Sequence, residues 1–290
     1  MKKYTFPISI MIVAWLLSIP FSASAADKAK ESMTQGADNS MTAKKDRDQA
    51  AAEESQSERM AAEKRIDSVI RMLKEGVAIS NSIPASAMEK AIGIAVIPDW
   101  TKAALIAGGS YGSGVLSAKR DDGQWTDPLF VSLTGGSLGF QAGMKSSELI
   151  LVFTDRTELN QLAKNEDISL GADARVTAGS MNKGKSTEIT EAKILTFEKS
   201  SGLFAGAALD GTVLKIQRSP TLAYYSLPDN PEEARGYFGK ENVDASLYSQ
   251  IIDANVKRPA MSKAVVPDSA QKFKNALETF VKSIQDRSKQ

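Results

Sequence analysis

The spacing of apolar residues changes along the chain, and each change predicts a different element. Ile66, Val69, Ile70, Leu73 and Val77 recur at helical intervals, which predicts a one-sided helix over residues 65–79. Pro84 then ends or redirects the segment. From about Ile92 to Ile216 the apolar runs become short and rich in β-formers: AIGIAVI, AALIAGG, GVLSAK, LFVSLTG, SLGFQAGM, ELILVF, ARVTAG, AKILTFEK, GLFAGAAL and TVLKI. Asp122-Gly123 and Asp210-Gly211 read as hairpin turns between such runs. Gly139, Gly143 and Gly206 fall inside strands, where glycine suits a sharp bend or a close backbone approach. One helix interrupts the strands: Asp155 caps it, Glu158 completes a capping box, and Leu159, Leu162 and Ala163 form a narrow apolar side. Near the C-terminus, Phe273, Ala276, Leu277, Phe280, Val281 and Ile284 make a continuous stripe with Asp268 or Ser269 as cap. Such a helix covers one face of a sheet. The expected class is α+β: a curved, mostly antiparallel β-sheet or barrel core with an N-terminal amphipathic helix and a C-terminal covering helix.

The segments before residue 65 have a different texture. Lys2 and Lys3 precede an apolar run that ends at Ala23-Ser24-Ala25, the pattern of a secretory signal peptide with an A-x-A cleavage site. The run is short for a membrane-spanning helix and holds Pro7 and Pro20. Residues 26–64 contain no Leu, Ile, Val or aromatic side chain, only Met33, Met41 and Met60 among mixed charges. They read as a tether, disordered or an isolated helix. The expected layout is a signal peptide over 1–25, the tether over 26–64 and one domain over 65–286, exported to the periplasm or secreted and peripheral to a membrane.

Composition narrows the chemistry. Of 36 basic residues two lie in the leader, leaving 34 against 35 acidic ones, so no bulk charge attracts nucleic acid. The chain has no Cys and no His. That excludes disulfides, Cys/His zinc sites, Cys nucleophiles and every His-based triad. The stretch TAGSMNKGKSTEIT matches the P-loop pattern from Gly179 to Ser186. A P-loop needs a helix starting at its Lys-Ser, whereas TEITEAKILTFEK reads as a strand, so no nucleotide is expected. GGSYGSG, Gly108–Gly114, has the wrong glycine order for a dinucleotide turn and reads as a hairpin or barrel corner. Asp155, Glu158, Glu188 and Glu191 form no marked acid/base couple. No catalytic residue, cofactor or metal site is expected.

Several ordered motifs then carry a resemblance. The strand from Ala91 to Pro98, the Gly108–Gly114 cluster, Gly123-x-Trp125 with Pro128, Gly139-x-Gln141-x-Gly143, Gly202-Leu-Phe-Ala-Gly206 and the Tyr224–Ser226 YYS resemble the SYLF domain family over roughly Arg65 to Asp286. The resemblance implies a non-catalytic lipid-binding domain, with the N-terminal amphipathic helix meeting anionic lipid; some eukaryotic relatives work with actin and membrane remodelling. Here the implied contact set is Arg65, Ile66, Val69, Ile70, Arg71, Leu73 and Lys74 on the helix, with Trp100 and Lys102 beside it. An apolar stripe with basic flanks serves either a membrane surface or a core. Trp100 is correspondingly interfacial or buried, Tyr111 lines a groove or packs, and Trp125 caps the core. The first reading is binding of anionic lipid or phospholipid at an envelope membrane surface. The alternative is a protein-interaction or scaffold module of the cell envelope, recruiting a protein partner.

Overall fold

The computed structural model describes residues 23–79, 83–104, 107–120, 122–138, 143–171, 192–200, 203–206, 209, 211–227 and 265–289. The first helix, α1, is Ala23–Ile79. Contacts divide the chain into a unit ending at Ala52 and a unit from Glu53 onward. In the first unit the side chains of residues 44–52 are exposed, as an Ala/Glu/Lys-rich helix with no apolar stripe allows.

The second unit is built on an eight-stranded antiparallel sheet: β1 (Gly93–Ala104), β2 (Ala107–Ala118), β3 (Leu129–Leu138), β4 (Gly143–Phe153), β5 (Ile168–Leu170), β6 (Ile194–Ser200), β7 (Leu203–Gly206) and β8 (Thr212–Ile216). The spatial order is β5-β8-β3-β2-β1-β4-β6-β7. At one end the strands are apolar on both faces: Ile94 to Ile97 and Leu149 to Phe153 are fully buried. Continuous runs of this kind need cover on both sides. Register shifts in β1 between Val96 and Asp99 on one side and Ile97 and Trp100 on the other. Pro98 lies inside both shifts; it has no N–H to give the ladder, and the resulting bulge bends the sheet.

Among the described residues the α-helices are α1, α2 (Ala85–Glu89), α3 (Arg156–Ala163), α4 (Arg218–Tyr224) and α5 (Asp268–Gln285). Pro84 sits at the N-cap of α2. In α5 the predicted stripe is buried throughout, and Gln285 Nε2 donates to the Met88 carbonyl at 3.1 Å. Tyr224 and Tyr225 are buried, their rings edge to face at 5.0 Å. The Tyr225 hydroxyl donates to the Pro128 carbonyl at 2.6 Å.

Four local expectations are corrected. Gly211 does sit in a turn, at φ 71°, but the turn leads from β7, an edge strand, to β8, which pairs with β3 and β5 near the other edge and not with β7. A turn dipeptide fixes local direction, not the partner of the strand that follows. GGSYGSG is no corner; it runs through β2, where Gly112 and Gly114 let neighbouring strands and the Trp100 ring approach. Asp155 caps α3 through Thr157 N at 2.7 Å, yet Glu158 turns to Lys193 at 3.1 Å rather than closing a capping box. At α5 the N-cap is Pro267, with Asp268 in the first turn and no side-chain cap. Ser269 instead bonds the Tyr224 hydroxyl at 2.9 Å. The short helices α2 and α4 carry too few residues for a readable period.

Burial pushes the Tyr224 hydroxyl up to about 12, despite the opposing Ser269 bond, and holds the Tyr225 hydroxyl well above its ordinary value. An unfolded tyrosine titrates near about pH 10. Because both folded values are raised, stability is intact below that pH and is lost as pH rises from about 10 toward 12. Alkaline titration followed by far-ultraviolet circular dichroism and tyrosinate absorbance should show loss of structure in this window, later in Tyr224→Phe. Ionisation of both tyrosines with secondary structure intact would contradict their burial.

Candidate functional site

The helix residues of the predicted lipid site divide into a buried and an exposed set. Ile66, Val69 and Leu73 are fully buried, Ile70 is 9% exposed, and Met72, outside the predicted stripe, is buried with them. Burial begins at Ala62. Their apolar surface belongs to the core, so these side chains do not reach a membrane in this fold. Arg65 is also turned inward: Nη1 donates to Gln217 Oε1 at 2.7 Å, and the guanidinium lies 5.7 Å from the centre of the Phe130 ring. Burial lowers its pKa, against the raising effect of Tyr111 and Glu58. Arg71 and Lys74 remain outside. Arg71 donates to its neighbour Ser68 at 3.4 Å. Lys74 lines a groove of about 290 Å³ with Val77 and, from α5, Lys272, Asn275, Ala276 and Thr279.

Trp100 and Lys102 lie elsewhere. Lys102 pairs in register with Lys145, and Trp100 with Ser147. Along β4, Lys145 and Ser147 point to one face and Glu148 to the other. Lys199 meets both Glu148 at 2.8 Å and Glu75 of α1 at 3.5 Å, so α1 covers the face away from Trp100 and Lys102. The nine predicted residues therefore do not form one surface. A sequence places residues on a strand; only strand pairing and coverage say which face meets which helix.

On that second face a compact charge cluster forms. Glu198 lies 3.1 Å from the Lys145 ammonium and 3.7 Å from that of Lys102. Burial raises the Glu198 pKa, but the Ser147 hydroxyl and the two lysines outweigh it and hold the carboxylate below its usual range. Two ammoniums sharing one carboxylate leave one positive charge. Trp100 is 1% exposed, and its Nε1 has no hydrogen-bond partner among the described residues. Lys145 and Glu198 were not legible as site residues, because forty or more residues separate each from Lys102 and no spacing rule joins them.

Trp125 is buried, with the Lys119 ammonium 6.0 Å from its ring centre. It lines a second pocket of about 450 Å³ between the Asp122–Gln124 turn and the α5 residues Gln271, Lys274, Asn275 and Glu278. Lys274 pairs there with the buried Asp127 at 2.7 Å. Tyr111 is 52% exposed rather than packed. The P-loop-like stretch from Gly179 to Ser186 lies outside the described residues.

A family model described as "Ysc84: Las17-binding protein actin regulator" matches residues 134–279. Among curated relatives, the human "SH3 domain-containing YSC84-like protein 1" is 31% identical over 142 residues, covering 48% of this chain and 41% of the relative. Its Xenopus laevis counterpart is 27% identical over 202 residues, 67% of this chain and 55% of the relative. "LAS seventeen-binding protein 3" of Saccharomyces cerevisiae (strain YJM789) is 27% identical over 150 residues, 49% of this chain and 32% of the relative. The chain thus spans about half or less of these proteins. No solved structure matches it significantly.

Proposed function

Because this chain belongs to the Ysc84 family of SYLF-domain proteins, we propose that it is a non-catalytic protein-interaction module. The observation that carries this reading is the placement of the α1 stripe in the core: the helix presents outward a polar face and a groove shared with α5, not an apolar blade. The descriptions of the family and of its yeast relative name a protein that is bound, which supports a binding role. The export pattern at the N-terminus supports a place outside the cytoplasm, periplasmic or secreted. The test is a photo-crosslinking amino acid placed at Asn275 in the full chain, in cells. A discrete protein adduct from the groove is expected. No protein adduct from this position, with the fold intact, would sink the reading.

A second reading is peripheral binding of anionic lipid, favoured by the Lys102–Lys145 pair around one carboxylate. Among the described residues no helix is long and apolar enough to cross a membrane. Co-sedimentation of the mature chain with anionic vesicles at low salt should then fall in Lys102→Glu/Lys145→Glu and at high salt. Equal pelleting with neutral vesicles, or no effect of the double substitution, removes this reading.

A further inference from the structure

The groove between α1 and α5 has a chemistry that selects its occupant. Its floor is Val77, the nearly buried Ala276 and the methyl of Thr279; its rim carries Lys74 from one helix and Lys272 from the other. Among the described residues neither lysine has an ion-pair partner. Glu75, next to Lys74, meets Lys199 at 3.5 Å, and Asp268, one turn before Lys272 on α5, is exposed and forms no ion pair among the described residues. Arg71, one turn from Lys74 on α1, lies outside the groove lining and donates to the Ser68 hydroxyl. The groove therefore combines an apolar floor with two rim lysines that have no ion-pair partner among the described residues.

Size narrows the choice. At about 290 Å³ the space lies at the lower limit for small-molecule cavities but accepts one large side chain as an anchor. A grooved seam between two helices also takes a short amphipathic segment by its apolar side. From this we propose that the groove binds a short acidic peptide segment of a protein partner. The segment seats one bulky apolar side chain, leucine or an aromatic, against Val77 and Ala276, with carboxylates on Lys74 and Lys272. This rests on the protein-interaction reading and deepens it: the partner is recognised by an acidic, apolar-anchored motif. Opposite rim charges set encounter rate and exclude basic segments, while the anchor sets residence time.

The experiment presents the mature chain from Ala26 to a random library of peptides about 12 residues long and measures the selected peptides by fluorescence anisotropy. Selected peptides should combine Asp or Glu with Leu, Phe or Trp. Their Kd should rise about tenfold in Lys74→Glu/Lys272→Glu and again at about 0.5 M salt. Both lysines are exposed, so the variant keeps its fold, which circular dichroism checks. Thr279→Trp, filling the groove from an exposed position, should also block binding. Peptides with lysine in place of their acids should bind the charge-reversed variant and not the parent. The proposal is overturned if no peptide is enriched, if acid-free peptides dominate, or if the variants bind equally. Phosphatidylglycerol vesicles bound through the same lysines, with no peptide selected, would overturn it too by assigning the groove to a membrane. A protein adduct at Asn275 that survives Lys74→Glu/Lys272→Glu defeats this inference and leaves the interaction reading standing. Loss of every adduct from the parent chain defeats that reading itself.

Discussion

Leu73→Ala is expected to destabilise the domain by about 2–5 kcal/mol, the range for truncating a fully buried leucine. Leu73 has no exposed surface and shares the core with Ile66, Val69, Met72 and the sheet. The loss combines the transfer energy of the removed methyls with a cavity that helix and sheet close only in part. A domain with a total stability of about 5–15 kcal/mol loses a large share of it. Urea unfolding should show a lower midpoint with an unchanged slope, whereas Lys74→Ala, one position on and exposed, should stay within about 0.5 kcal/mol of the parent. For the same reason a chain starting at Gly76, without the buried residues from Ala62 to Leu73, should not remain folded. A Leu73→Ala protein of unchanged stability that no longer pelleted with vesicles would turn the stripe back into a membrane device.

Gly114→Ala is expected to cost about 3 kcal/mol or more, beyond the usual range for overpacking. A Cβ at Gly114 would fall on the Val96 carbonyl oxygen and within 2.8 Å of Ile97 Cδ1. A side-chain clash relaxes by rotation, but a clash with a backbone carbonyl relaxes only if β1 and β2 separate. These strands lie at the centre of the sheet, and their separation would open the core. Gly136→Ala is the control, since nothing lies within 4 Å of its added carbon. Soluble yield and urea midpoints of the two variants should diverge sharply; equal values would mean that the close approach is not required.

What each level determines can be traced residue by residue. The sequence alone determined the α1 stripe from Ile66 to Val77, the α5 stripe from Phe273 to Ile284, strand-forming runs such as AIGIAVI, ELILVF and TVLKI between them and the exclusion of Cys- and His-based chemistry; the run ARVTAG lies outside the described residues. All of these are local: helical period, strand composition and residue type are written within a few positions of one another. Tertiary structure decided what each apolar face covers. An amphipathic stripe reads the same whether it meets lipid or a sheet, and only the presence of a sheet beneath Leu73 chose between them. It also decided that the strand after Gly211 pairs with β3 and β5 and not with β7, that Glu158 serves Lys193, and that Lys102, Lys145 and Glu198 meet on the face away from α1. The lysines of the α1–α5 groove, nearly two hundred residues apart, became one rim in the same way. Pairing and burial are set by the lowest-energy packing of the whole domain, which no single segment encodes.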